Sequence, residues 1–217
     1  IELDRTYPGL QRLPLVRNYR CGRRITGASR RLIGHNRRRF RKPLRAGAGH
    51  RGKITVHDLD DRRLAARRAA TLLAAGRPGE SVVLARTSSL LREVALACAR
   101  MGVTFATNAV PDGDVRPAGA VRRGAPDAEE EQLLRAHRRD DGHELATVHG
   151  AKGREWPHVI IYGADQGLFP HAQMLGDPAS LEDERRLFYV ALTRAKERLD
   201  IVCTRGRRSC FVGEAGL

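Results

Sequence analysis

A chain of 217 residues, 41% hydrophobic, is long enough to bury one substantial core, or one domain with a small appendage. No apolar run approaches the roughly 18 residues of a membrane span, and the amino end lacks a charged, then apolar, then small-residue leader. The expectation is therefore a cytoplasmic protein with no membrane partner. The formal charge of +15 comes from 40 Lys+Arg against 25 Asp+Glu, and only Lys42, Lys53, Lys152 and Lys196 are lysines. Such a surplus favours a polyanionic partner, because neutralising phosphates releases counterions. An arginine-rich solvated surface with no partner is the other reading. The four cysteines, Cys21, Cys98, Cys203 and Cys210, form no C-x-x-C pair, and no His stands at zinc-knuckle spacing, so no metal site is read. Reduced, half-buried thiols are expected, with a Cys203–Cys210 disulfide as the alternative. The chain opens on Ile1-Glu2-Leu3 without an initiator Met, as a piece cut from a longer chain, or a processed one, would.

In chain order, Gly22–Arg39 has a helical but very basic pattern, and Lys53–Val56 reads as a short strand. Asp60–Ala75 follows as a helix closed by Gly76 and Pro78. The apolar run in Ser81–Ala85 suits a strand covered on both faces. Ser88 and Ser89 cap a helix running to Arg100, where Gly102 ends it. Asn108–Asp141 breaks the rhythm with prolines, glycines and a charged run, predicting a loop and a short solvated helix near Ala128–Arg138. Glu144–Val148, His158–Tyr162 and Leu199–Cys203 read as three further strands. A long helix, Ser180–Lys196, precedes the last of them and opens on the capping box Ser180-x-x-Asp183. Alternating strands and helices predict a parallel sheet with right-handed crossovers.

Within the Ser180–Lys196 helix, Leu181, Phe188, Ala191, Leu192 and Ala195 form one apolar stripe, with Arg194 just off its edge. An Arg at the rim of a buried helix can face an anion at the domain surface. Alternatively, it satisfies the last carbonyls of the helix.

Three segments carry a resemblance. Asn18-Tyr19-Arg20 follows Leu15-Val16. Thr147-Val148-His149-Gly150-Ala151-Lys152-Gly153-Arg154-Glu155-Trp156 is followed by Gly167-Leu168-Phe169-Pro170-His171. The third segment runs Glu182-Asp183-Glu184-Arg185-Arg186-Leu187-Phe188-Tyr189-Val190-Ala191-Leu192-Thr193-Arg194-Ala195. In this order they resemble the N-Y-R, T-x-H-x-A-K-G-x-E and E-E-E-R-R-L-x-Y-V-x-x-T-R-A motifs of superfamily-one DNA helicases of the UvrD/Rep/PcrA type, in their C-terminal, second RecA-like lobe. The resemblance implies an α/β fold: a RecA-like parallel sheet flanked by helices, in a lobe of the phosphate-loop NTPase type without its own phosphate loop. It also implies that Arg20 and Arg194 act catalytically on the γ-phosphate of ATP. Tyr19 would stack on the adenine and Glu155 would bind the ribose, while Thr147, His149, Lys152 and Gly153 would touch single-stranded DNA. ATP with Mg2+ would be held mainly by an N-terminal ATP-binding lobe, the implied partner. Whether Phe169-Pro170-His171 extends the DNA track or packs beneath it stays open.

The chain departs from the family's pattern in three ways. No G-x-x-x-x-G-K-[ST] loop occurs, so the chain alone is expected not to hydrolyse ATP. Positions 108–141 are too short for the large helical insert usual in the family, which makes translocation a firmer expectation than unwinding. Arg154 and Trp156 stand where Leu and Phe are commoner. The organisation expected is a lobe in two parts, 1–107 and 142–205, joined by the short linker 108–141 and ending in a tail, 206–217. Polarity, 3′→5′, comes only from the resemblance. A helicase-derived module that binds DNA or a partner without catalysis is the alternative.

Overall fold

The apolar run Ser81–Ala85 requires cover on both faces and receives it: as strand β4 it lies inside a six-stranded sheet with all five residues buried. The computed structural model describes residues 6, 7, 9, 13–40, 42–107 and 128–217. Before β4 come β1 (Arg17–Asn18), α1 (Arg23–Gly34), β2 (Arg45–Ala46), β3 (Lys53–Leu59) and α2 (Arg62–Ala74). After it come α3 (Ser88–Arg100), β5 (Phe105–Ala106), α4 (Ala128–His137), β6 (His143–Thr147), β7 (Trp156–Tyr162), α5 (Pro178–Leu192), β8 (Ala195–Thr204) and α6 (Cys210–Glu214). The sheet order is β3-β8-β7-β4-β6-β5, and every neighbouring pair is parallel. β1 and β2 form a separate parallel pair. Helices cover both faces, the RecA-like α/β arrangement expected.

Alternation along the strands separates two apolar layers. Val82, Leu84, Val159, Ile161, Leu199 and Ile201 face Ile25 and Leu32 of α1, Phe188 and Leu192 of α5, and Phe211 of α6. Val83, Ile160, Tyr162 and Val202 face Leu73 of α2 and Leu91 and Val94 of α3. Each such side chain, fully buried, contributes about 1.5–3 kcal/mol relative to exposure.

Several boundaries differ from expectation for local reasons. α2 is capped by Asp61, whose carboxylate accepts from Leu64 N at 2.8 Å. Thr87, not Ser88 or Ser89, is the N-cap residue of α3. Gly102 does end α3, taking φ +70° while Val103 N reaches back to Cys98 O at 2.9 Å. The helix expected near Ala128–Arg138 is α4, but it buries Leu134 on one side, and Arg92 of α3 pairs with Glu131 at 2.7 Å. The remainder of the expected loop, 108–127, lies outside the described residues.

The capping box at Ser180 does not form. α5 starts at Pro178, capped by Asp177, whose carboxylate accepts from Ser180 N at 2.8 Å and Ala179 N at 3.3 Å. A carboxylate reaching two orphan amides ahead of a Pro in the first turn outcompetes a serine three residues further on. α5 also ends at Leu192, not Lys196, because Ala195 pairs with Trp156 of β7 and so begins β8 four residues earlier than the apolar run indicates. Arg194 therefore sits in the turn between α5 and β8 and not on the rim of a helix.

Positions 206–217 are folded in. Phe211 and Val212 of α6 are fully buried, and Phe211 meets Phe188 and Phe169 at ring centroids of 5.5 and 6.4 Å. Phe169 is thus core, packing beneath the surface. All four cysteines are free thiols; Cys21, Cys98 and Cys203 are fully buried rather than half-buried, while Cys210 is exposed. Among the described residues no helix is long and apolar enough to cross a membrane.

Candidate functional site

Three segments meet where β7 and β8 begin. Asn18 turns the chain after β1: its side-chain oxygen accepts from Arg20 N at 2.9 Å and Cys21 N at 3.1 Å. Gly22 N then donates to Lys196 O at 2.8 Å, tying this turn to the start of β8. A Cβ on Gly22 would lie 2.6 Å from Gly52 Cα, so only glycine permits the approach. Arg20 is thereby carried to the turn that holds Arg194 and to Glu155, the residue before β7.

Arg20 Nε donates to the Glu155 carboxylate and its Nη1 to Thr193 O at 3.4 Å. Glu155 also pairs with Lys196 Nζ at 3.0 Å. The Lys196 ammonium holds the Glu155 carboxyl below its usual value; burial opposes this, and the Arg20 guanidinium adds to the lowering. Arg194 is oriented by two carbonyls, Nε to Val190 O at 3.2 Å and Nη1 to Arg154 O at 2.9 Å. Burial, and next the neighbouring Arg20, lower its pKa, so its charged form is held at some cost. Arg20 and Lys196 thus share one carboxylate with the Arg194 charge near Arg20, an excess of positive charge that a multiply charged anion would relieve. Tyr19 stands beside them, 68% exposed. Its ring lies over Gly47, where a Cβ would come within 2.8 Å of it.

The other group read from the sequence lies elsewhere. Thr147 ends β6, and 148–155 return the chain from there to the start of the parallel neighbour β7. Val148 and Ala151 are buried and anchor this return, whereas His149, Lys152 and Gly153 are exposed. Thr147 Oγ1 accepts from Gly150 N at 3.1 Å, which leaves its own proton to donate. Gly153 takes φ +82°, a turn few other residues tolerate. His149 and Lys152 line a groove of about 450 Å³ against Arg86, Asp183, Arg186 and Leu187.

Other partners were not legible from spacing. Glu144 accepts from Arg154 Nη2 at 2.7 Å and Trp156 Nε1 at 3.1 Å, with the Arg154 guanidinium 4.8 Å from the Trp156 ring centroid. Arg154 and Trp156, the two unusual residues of the second motif, therefore act as a stacked pair on one carboxylate. The charged residues of the third motif tie α5 down. Buried Glu184 accepts from Arg86 Nε at 2.9 Å and His171 N at 3.0 Å, and buried Arg185 donates to Glu214 at 2.6 Å and Asn36 at 2.7 Å. Lys196 stood just past a recognised motif, yet only the fold reveals its pairing with Glu155.

Residues 128–206 match the family model of the UvrD-like helicase C-terminal domain. DNA helicase II of Haemophilus influenzae is 48% identical over 65 residues, which cover 30% of this chain and 9% of that protein. The ATP-dependent DNA helicase PcrA of Bacillus subtilis is 48% identical over 59 residues, 27% of this chain and 8% of that protein. The matched stretch thus spans less than a tenth of either relative. The C-terminal domain of a possible DNA helicase from a Lactobacillus (strain WCFS1) superposes with a TM-score of 0.54 at 18% identity, covering 91% of this chain and 94% of that one; at this identity the likeness is one of fold. Over residues 128–206, which hold the second and third of the three motifs, the chain is similar to the UvrD-like helicase C-terminal domain.

Proposed function

We propose that the chain is the second motor lobe of an ATP-dependent, 3′→5′ single-stranded DNA translocase or helicase. In this reading Arg20 and Arg194 face ATP whose phosphates and Mg2+ are held by an N-terminal lobe. The observation that supports it most is that Arg20 and Lys196 share the carboxylate of Glu155, while Arg194, braced on two carbonyls, lies near enough to Arg20 to feel its charge. Phosphoryl transfer leaves charge on the γ-phosphate oxygens, and positioned guanidiniums stabilise it with little reorganisation. Supplied from a second lobe, they act only when the lobes close, which couples hydrolysis to movement. Exposed Tyr19 offers a flat face to the adenine, and Glu155 can accept from a ribose hydroxyl. Thr147, His149 and Lys152 offer hydroxyl, imidazole and ammonium groups to phosphates of a single strand, and Gly153 lets its backbone come close.

The test is reconstitution. The isolated chain should show no DNA-stimulated ATPase, and joined to a first lobe bearing the phosphate loop it should gain one. Turnover by the isolated chain, lost in Arg194→Ala, would overturn the division of labour between lobes. A joined protein that binds DNA without turnover would favour a non-catalytic module.

A further inference from the structure

The positive charge is not spread over the sequence. Residues 5–57 contain no Asp or Glu and hold 16 of the 40 Lys+Arg, leaving 24 against all 25 acidic residues elsewhere. The net charge of the chain is therefore that of one segment, and α1 is the helix within it. The exposed residues of α1 are Arg23, Arg24, Arg30, Arg31 and Gly34, while Ile25, Ala28 and Leu32 are buried in the core. Exposed Arg37 continues the basic surface beyond the helix, its backbone amide donating to Glu182 at 2.6 Å, and among the described residues the guanidiniums of Arg23, Arg24, Arg30 and Arg37 pair with no carboxylate. Arg23 and Arg24 occupy the first turn of α1, which has no acidic residue and no side-chain cap. Cations there oppose the helix dipole, so this placement works against local stability.

We infer that this arginine face of α1 is a second nucleic-acid surface, one that holds the phosphate backbone of duplex DNA, apart from the Thr147–Gly153 loop. The inference rests on the reading of the chain as part of a DNA motor. Duplex is favoured over single strand by what the face lacks as well as by what it carries. Single strands gain much of their affinity by stacking bases on aromatic side chains, and the exposed residues of α1 are arginines and one glycine. A duplex keeps its bases stacked inside and presents phosphates, about one charge per 1.7 Å of axis. Arg23 and Arg30 stand seven residues apart on the same side of a rigid helix, about 10.5 Å along its axis. Guanidiniums set in a row by the helix backbone can each clamp phosphate oxygens two at a time, their planar forks matched to that geometry.

Binding of the 217-residue chain to a labelled duplex of about 25 base pairs, and to an oligothymidine of equal length, should be followed by anisotropy from about 50 to 200 mM salt. Replacing Arg23, Arg24, Arg30 and Arg37 together by Gln should weaken duplex binding about 100-fold and lower the salt slope by about four, roughly one for each phosphate no longer neutralised. Oligothymidine binding should stay within about threefold, since its stacking and backbone contacts are made elsewhere. A control removes four exposed arginines outside this segment, Arg63, Arg67, Arg77 and Arg135. Equal duplex loss in the control would show that net charge alone attracts DNA, and unchanged duplex binding in the α1 variant would show that the face is idle. Either result overturns the inference. His149→Ala with Lys152→Ala separates the two claims: if it leaves oligothymidine binding intact while the α1 variant loses duplex, the motor reading fails and the arginine face stands.

Discussion

Glu155, at the centre of the cluster, and the loop Thr147–Gly153 lie in one motif, yet the cluster and the loop are built differently. In the cluster each functional group is already held: Arg20 by Glu155 and Thr193 O, Arg194 by Val190 O and Arg154 O, and Glu155 by Lys196. In the loop the backbone is held, through buried Val148 and Ala151 and the Thr147 hydroxyl, and the side chains of His149 and Lys152 are exposed at the groove they line. The difference fits the two tasks proposed for them. A transition state has one geometry and rewards donors fixed in advance. A DNA strand that must be gripped and released rewards contacts that are individually weak and screened by salt. On the proposed reading, rigid charge would belong at an ATP-facing end and adaptable charge on a DNA track.

The largest effect that separates the two regions is expected at Arg194. In a protein that includes its first lobe, Arg194→Ala should lower kcat about 10³-fold, roughly 4 kcal/mol of transition-state stabilisation, with single-stranded DNA affinity nearly unchanged. Arg194→Lys should recover little, because a point charge cannot replace a guanidinium braced on two carbonyls. Steady-state ATPase assays with a parallel DNA titration measure both quantities. A matched loss of turnover and DNA affinity would mean the two regions are one site.

The cluster was legible in the sequence because Arg20, Glu155 and Arg194 belong to motifs whose order is specific. What stayed illegible was the support. Thr193 O and Lys196 lie 173 and 176 positions from Arg20, and no periodicity connects residues so far apart. The sheet was readable for a related reason: β4, β7 and β8 are buried on both faces, so they read as apolar runs. The misplaced ends of α5 were decided by tertiary partners, with Asp177 outcompeting Ser180 as cap and β7 drawing Ala195 into a strand. Helix periodicity alone could not see either.

A second, smaller effect should leave the contrast between the regions untouched. Asp200 lies fully buried in β8, with His57 Nε2 at 2.7 Å, His158 Nε2 at 2.8 Å and Arg198 Nε at 2.7 Å around its carboxylate. Burial alone would raise its pKa, but bonds from His158, His57 and Arg198 outweigh that and hold it well below the ordinary carboxylate value. A depressed folded pKa gives stability that is present above the unfolded value, about 3.9, and is lost as pH falls below it. Asp200→Asn should therefore cost about 3 kcal/mol at pH 7 and flatten the acid limb of stability, read by urea unfolding at pH 7 and pH 3. Since the sheet supports both regions, ATPase and DNA binding should fall together, in proportion to the unfolded fraction. A loss confined to one of them would tie Asp200 to that region.

The smallest effect is expected on the loop, and its form matters more than its size. Lys152 is exposed and makes no ion pair among the described residues, so its removal strands no buried partner and should leave stability unchanged within about 0.5 kcal/mol. What it should change is the counterion term: Lys152→Ala is expected to weaken single-stranded DNA binding three- to tenfold at low salt and to reduce the salt slope by about one. The deficit should shrink as salt rises, because the interaction removed was already being screened. His149→Ala should cost less in affinity but break the coupling, with DNA-independent hydrolysis surviving while DNA stimulation falls. Both follow from side chains held only through their backbone: each gives a weak contact, and only strand occupancy aligns them. A large, salt-insensitive loss at Lys152 would mean that this side chain is fixed in place as firmly as Arg194, and the contrast between a rigid end and an adaptable track would collapse.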